Sequence, residues 1–427
     1  MSWLLKNINQ YKITKYEILY LLIGIFLSLL MFKTLMIHTD NTQLTDKVHA
    51  ILTEGRWIHH GNAATKMGAL PGSFLTVVTA VPMMIWNSPY AACLFILLTH
   101  FLSYLLLRHL GFKYFNSFNP NYLAVIYWLN PWRIEQSELY NPGYLFLFGA
   151  LYLYFISKMA ERRYFWDSFW LAVSVGFCFQ VHFSVLILGI SFLYLFFKKK
   201  ISVHYVGFLA GCAVIGVSLL PWLFEQLNGE VQSLQTHSGA YLGRNLVLVY
   251  PVIKAALYFF RMGSLYCGRH IFSEIHFEYI QLQSLKMIFE YVFHSVKWIM
   301  AAVTLILSFR FFGRLLKAGF KGDKTDFLDT FIFSIFVGVV LSAALSPVEF
   351  NHWHFVLCFP MIVFVISGRV HEYLLLNDFK FKLWMTSLRI LTPLLFIIWG
   401  LFMSFGSRSH SISNDFHQAY LKKYYSK

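Results

Sequence analysis

Long apolar runs broken by short charged clusters dominate this chain. The runs cover about 16–37, 90–107, 119–137, 143–157, 164–181, 183–197, 203–224, 291–309, 328–346, 354–368 and 385–403. They predict about eleven transmembrane helices, since a perpendicular span needs roughly 20 apolar residues and several of these must turn within the headgroup layer. The apolar stretch from Ser73 to Trp86 has 14 residues, which suits a buried or re-entrant helix better than a span. Upstream of it, Leu44, Val48, Ile51 and Leu52 form one stripe at helical spacing. The expectation there is an amphipathic helix on the outer membrane surface, with Asp40 at its N-cap and Gln43 as its capping-box partner. The predicted class is all-α: a polytopic integral membrane protein, residues 1–427 forming one membrane domain, with long outer loops at 38–89 and 225–290 and amphipathic helices in the first.

Composition supports lipid as the solvent. Apolar residues make up 58% and charged residues 13%, whereas soluble domains carry roughly 25% charged residues. One aqueous core cannot hide 45 Phe, 25 Tyr and 12 Trp. The formal net charge of +15 would point a soluble protein toward nucleic acid. Here the cations sit in short loops, where they set topology and meet lipid headgroups, so membrane lipids are expected partners and nucleic acid is not. With a cytoplasmic N-terminus and a non-spanning 73–86, inside loops hold 20 of the 35 Lys and Arg and outside segments 13. Counting 73–86 as a span would place Arg108 and Lys113 outside and break this asymmetry. The run from Tyr16 to Ile37 is long for a signal-peptide core and reads as an uncleaved first span. Cys93, Cys178, Cys212 and Cys358 lie in apolar runs, and no CxxC motif or disulfide framework is present.

Polar residues gather at the outer ends of the spans. Asp40 reads equally as a helix cap and as a carboxylate held at the lipid–water boundary, able to take a proton from an acceptor hydroxyl. Lys66 precedes the bend at Pro71-Gly72, as a solvated lysine or as a counter-ion to phosphate. Asn130-Pro131-Trp132-Arg133, with Glu135, Glu138 and Asn141, places charges in the interface between two spans. Gln180-Val181-His182 breaks another pair, and Glu349 to His354 opens the tenth run. Each break is either a structural interruption reaching water or part of a site. Arg244 in the second long loop is a further candidate cation. His182, His352 and His354 are expected to converge with Asp40 around one outward-opening cavity. No metal is expected: His270, Glu274, His276 and Glu278 share no single helix or strand geometry. Walker A, HExxH, GxSxG and dinucleotide glycine patterns are absent.

The order of these features resembles the GT-C superfamily of membrane glycosyltransferases, in particular the bacterial lipid A aminoarabinose transferases and protein O-mannosyltransferases. The resemblance rests on a first span ending at Asp40, the helix closing at Glu54-Gly55, and the membrane helix led by Leu70-Pro71-Gly72. It continues through Leu107-Arg108-His109-Leu110-Gly111, Asn130-Pro131, Tyr140-Asn141-Pro142-Gly143, Phe179-Gln180-Val181-His182 and His354-Phe355 to Pro360. It covers roughly 16–200 and 350–368. It implies transfer of a sugar from a polyprenyl-phosphate donor to a glycan, lipid or protein acceptor at the outer face of the bacterial inner membrane, with Asp40 as base and no cofactor. The chain departs from many relatives at Asn41, Asn141 and His352-Trp353-His354, where they carry acids and an Arg-Tyr pair.

The sequence therefore predicts direct displacement. Asp40 deprotonates the acceptor, while Lys66, Arg133, Glu138, Asn141, His182, Arg244, His352 and His354 surround the substrates. The rival reading is a transporter or flippase of a lipid-linked glycan, which would show repeats and ionisable groups near the midplane.

Overall fold

The computed structural model describes residues 13–33, 39–64, 68–116, 118–228, 249–262, 280–321, 326–346, 351–374, 390–398, 400–401 and 416–425. Helix α1 (Lys15–Lys33) is followed by α2 (Thr39–Glu54), a hairpin of β1 (His60–Ala64) and β2 (Gly68–Pro71), and the short α3 (Phe74–Ile85). Then come α4 (Pro89–Tyr114), α5 (Pro120–Leu123), α6 (Pro131–Glu135), α7 (Leu145–Glu161), α8 (Phe165–Val181) and α9 (Leu186–Phe197). The chain closes with α10 (Tyr205–Leu227), α11 (Val249–Met262), α12 (Gln283–Lys321), α13 (Phe327–Leu345), α14 (Phe359–Leu374) and α15 (Phe416–Tyr425). Five described helical stretches are long and apolar enough to cross a membrane, and Phe74–Ile85, Phe165–Val181, Phe183–Phe197 and Phe359–Arg369 are shorter apolar helices. The protein is an all-α polytopic membrane protein, with one small antiparallel hairpin among the described residues, which pairs His60 with Pro71 and Ala64 with Gly68.

Helix α8 packs against α7 and α10, α9 against α13, and α13 against α11 and α12. The α8–α10 contact is close because α10 presents Gly207 and Gly211 one turn apart. A Cβ on either would lie 2.3 Å or 2.5 Å from the Phe165 or Phe169 carbonyl oxygen. At the opposite end from the polar breaks, Glu17 of α1 is buried and accepts hydrogen bonds from Tyr104 Oη and Arg108 Nε at 2.6 Å each. That pair fixes α1 to α4.

Each end of α3 is tied to another element. Its start is held by Gln180, whose Oε1 accepts from Phe74 N at 3.2 Å and whose Nε2 donates to Ser218 at 2.8 Å. Past its end, Asn87 accepts from Tyr420 of α15, the helix that also meets α2. A 12-residue helix spans only about 18 Å, less than the roughly 30 Å hydrocarbon core of a bilayer.

Two local expectations are corrected. The stripe on α2 does not lie on lipid: Leu44, Val48 and Ile51 are buried by protein, packed toward α3. Asp40 is not the N-cap either, because the helix already includes Thr39; Gln43 Oε1 accepts from Ala63 N at 2.8 Å and ties α2 to the hairpin.

The run 119–137 is not one continuous helix. It breaks into α5, a π-helical turn over Ala124–Trp128, and α6, restarting at Asn130, whose side chain caps Trp132 N ahead of Pro131. Pro131 has no N–H to continue the ladder. Such backbone survives at membrane depth only when enclosed by protein, and residues 122–139 are all buried.

Candidate functional site

The first turn of α2 carries Asp40, half-buried, with its backbone carbonyl accepting from Asn62 Nδ2 of β1 at 2.9 Å. Across from it is Tyr140, in the loop between α6 and α7. Burial raises the ionisation of the Tyr140 hydroxyl far above its ordinary range, and the nearby Asp40 and Glu138 carboxylates raise it further. Asp40, Glu138 and Tyr140 therefore form one acidic group whose phenol stays protonated as a donor. Next in the chain, Asn141 is buried; its Nδ2 donates to Val181 O at 3.4 Å, and its Oδ1 has no partner among the described residues. This contact joins the acidic group to the break between α8 and α9.

There His182 stands in extended backbone, its Nδ1 accepting from Ser184 N at 3.1 Å. Burial and the neighbouring His354 ring hold His182 well below the usual imidazole value, at about 3, so it is neutral at physiological pH. The His182 and His354 rings lie 5.5 Å apart, edge to face. Nδ1 of His354 accepts from Asn351 N at 3.0 Å in a capping box. With its Nδ1 accepting from Ser184 N, the neutral His182 ring carries its proton on Nε2, while His354 Nδ1 lies 3.0 Å from Asn351 N and 3.1 Å from Asn351 O. Lys254 of α11 donates to Asn351 Oδ1 at 2.9 Å, bringing an ammonium group beside the pair.

A third group underlies the hairpin. Lys47 of α2 is 9% exposed and donates to Gly61 O; burial draws its pKa down to about 8, against the raising influence of Glu225. Glu225, near the end of α10, accepts from His59 N at 3.3 Å and faces His60 Nδ1 at 3.2 Å. Burial, despite the Glu225 contact, lowers the His60 pKa.

The structure thus brings together Asp40, Glu138 and Asn141, and places His182 against His354. It does not bring Arg133 to them. Arg133 is fully buried, stacked 4.2 Å from Trp128, and its guanidinium donates to Trp128 O, Gly24 O, Ser28 Oγ and Ser137 Oγ. Gly24 and Ser28 lie about 8–14 Å inside the end of α1, so Arg133 sits within the bundle, not in the interface expected for it. Lys66, Arg244 and His270 to Glu278 lie outside the described residues, as does the side chain of His352. Among the described residues no group of three His, Cys, Asp or Glu could hold a metal. A small cleft beside Arg314 and Arg369 lies at the other end of the bundle and includes none of the site residues.

Sequence reasoning missed Lys47, His60, Glu225 and Lys254, and named Tyr140 only as part of its segment, without a role. For Lys47 a signal existed. With Leu44, Val48 and Ile51 it completes an i, i+3, i+4, i+7 set, an ionisable residue on an apolar face.

No protein-family model and no curated protein sequence matches this chain. Among solved structures, ArnT from Cupriavidus metallidurans bound to undecaprenyl phosphate shares the fold, with a TM-score of 0.53 and 10% identity. The match covers 91% of this chain and 75% of that one. The polytopic, all-α membrane architecture expected from the sequence is therefore the architecture found, and it is shared with that structure.

Proposed function

We propose that the protein is a GT-C-type glycosyltransferase that takes a sugar from a polyprenyl-phosphate donor at the outer face of the bacterial inner membrane. The observation that carries this reading is the half-buried Asp40 in the first turn of α2, set against Tyr140 and Glu138, in a fold shared with a protein solved with undecaprenyl phosphate bound. Asp40 takes the proton of the acceptor hydroxyl as its oxygen bonds to the anomeric carbon. The bond from that carbon to the phosphate oxygen breaks, and its electron pair leaves with the polyprenyl phosphate. The Nε2–H group of His182, the His354 ring and the Lys254 ammonium are suited to receive the departing anion. Asn141 and the Tyr140 hydroxyl supply hydrogen bonds on the acceptor side. The acceptor is a glycan, lipid or protein hydroxyl.

Asp40→Asn in purified protein, assayed with polyprenyl-phosphate sugar, tests the reading. Loss of one charge in the first helical turn costs about 0.3–1 kcal/mol, so folding and carrier binding survive. Transfer should fall by at least the ~10²–10⁴ of general-base catalysis. Near-normal transfer by the Asn variant would remove the base from the mechanism.

A further inference from the structure

The last described helix, α15, ends up on the helix that carries Asp40. Its aromatic stripe of Phe416, Tyr420 and Tyr424 recurs every four residues, and Phe416 and Tyr420 are 3% and 2% exposed. Tyr424 stacks on His49 of α2 with ring centroids 4.3 Å apart, its hydroxyl lies 3.4 Å from Thr45 Oγ1, and it donates to Asp46. Lys423 pairs with the same Asp46. Lower on the helix, Tyr420 donates to Asn87 at 2.9 Å, and the His417 ring lies 6.3 Å from Trp86 and 6.1 Å from Tyr90. The tail helix therefore bridges α2 to the junction of α3 and α4.

Helix α2 needs such a bridge. Its 16 residues are polar on average, and an isolated helix of that length is marginal in water. Its inner face is held by α3 and by Lys47 on Gly61 O; its other face is held by α15. The Lys423–Asp46 pair is nearly half exposed on both sides and contributes little alone. The stacked Tyr424 ring is the stronger part of the contact.

We propose that α15 is a positioning element, with Tyr424 as its key residue, that fixes α2 and so sets where Asp40 stands. The consequence for transfer rests on the proposed role of Asp40; the fixing of α2 does not. The test compares full-length wild type, Tyr424→Ala and Tyr424→Phe in detergent, by amide exchange over 40–54 and by transfer kinetics. Tyr424→Ala should raise exchange across 40–54 at least tenfold and lower kcat with little change in KM for the lipid carrier. Tyr424→Phe keeps the ring on His49 and should stay within threefold of wild type in both. Because only one exposed-edge ring is removed, the bundle should stay folded, with amides of α7 and α8 protected as in wild type. Unchanged exchange over 40–54 in Tyr424→Ala overturns the proposal whatever the enzyme does. Raised exchange with unchanged kcat overturns the link to Asp40. A wild type with no transfer activity removes the proposed reaction, and the exchange comparison still decides whether α15 fixes α2.

Discussion

Replacing Lys47 with Met should anchor the first loop more firmly at neutral pH and remove a pH dependence that the wild type shows. Lys47 is buried, donates to Gly61 O and faces Glu225, yet burial prevails and its pKa drops from 10.5 to about 8. Each pH unit of that difference corresponds to ~1.4 kcal/mol, so docking charged Lys47 costs about 3 kcal/mol below pH 8. Methionine fills a similar volume without charge and gives up one hydrogen bond, worth about 1 kcal/mol. The net gain at pH 7 is then about 2 kcal/mol, close to thirtyfold in the docked-to-undocked ratio. The sign with pH follows from proton binding. Between pH 8 and 10.5 the undocked lysine stays protonated while the docked one is neutral, so wild-type docking strengthens as pH rises, roughly fivefold from pH 8 to 9. The neighbouring His60 has a lowered pKa and is already neutral in this window. The assay is native-state proteolysis of the 39–71 segment in detergent at pH 7, 8 and 9, normalised to an unstructured peptide under the same protease. Wild-type cleavage should fall about fivefold from pH 8 to 9, and the Met variant should be slower at pH 7 and flat. A Met variant that is cleaved faster at pH 7, or keeps the wild-type slope, refutes the reasoning.

Arg133→Met should lower thermal stability by about 2–4 kcal/mol, because carbonyls and hydroxyls on two elements lose a buried donor. The check is the thermal midpoint in detergent, and Arg133→Lys should not restore it, since one ammonium cannot reach Trp128 O, Gly24 O and Ser28 together. His182→Gln should retain more transfer than His182→Ala, as the Gln amide can donate near where Nε2–H stands. Transfer by the wild type should not rise as pH falls from 7 to 6, because His182 titrates at about 3; a rise that His182→Ala abolishes would show a protonated imidazole at work.

The sequence made the bundle legible wherever hydrophobic period and charge placement act alone. Tyr205–Leu227 and Phe327–Leu345 fall close to the expected runs, and 291–309 lies inside the longer α12. The short α3 followed from the length of its apolar run. The hairpin did not, because His60–Ala64 and Gly68–Pro71 are short and lack the β-branched alternation that marks strands. Pro120 and Pro131 were visible, but that 119–137 would break at membrane depth depends on every neighbour that buries it. The meeting of His182 with His354 was expected from their shared place at the outer ends of spans, but its geometry depends on how α8 meets the turn ahead of α14, which no local pattern encodes. The tail helix was legible in hindsight from Phe416, Tyr420 and Tyr424 at four-residue spacing.

Asp40 is covalently continuous with α1, yet the described contacts of its helix run elsewhere: Gly61 and Ala63 in the hairpin, α3 beneath it, and Tyr424 almost at the end of the chain. Glu225 of α10 reaches the same hairpin through His59 and His60. These partners are separated from α2 by up to 379 positions, so the site end forms only after contacts with a large loop-closure cost are made. The opposite end is fixed by the compact, buried Glu17–Arg108 pair, bonded to Tyr104. A rigid base and a site end assembled from distant, partly exposed pieces place the low-stability contacts around Asp40, where the proposed lipid-borne donor would enter and leave. Mutations that loosen α2 without touching substrate, in the hairpin or in α15, should then alter turnover long before they lower the global thermal midpoint.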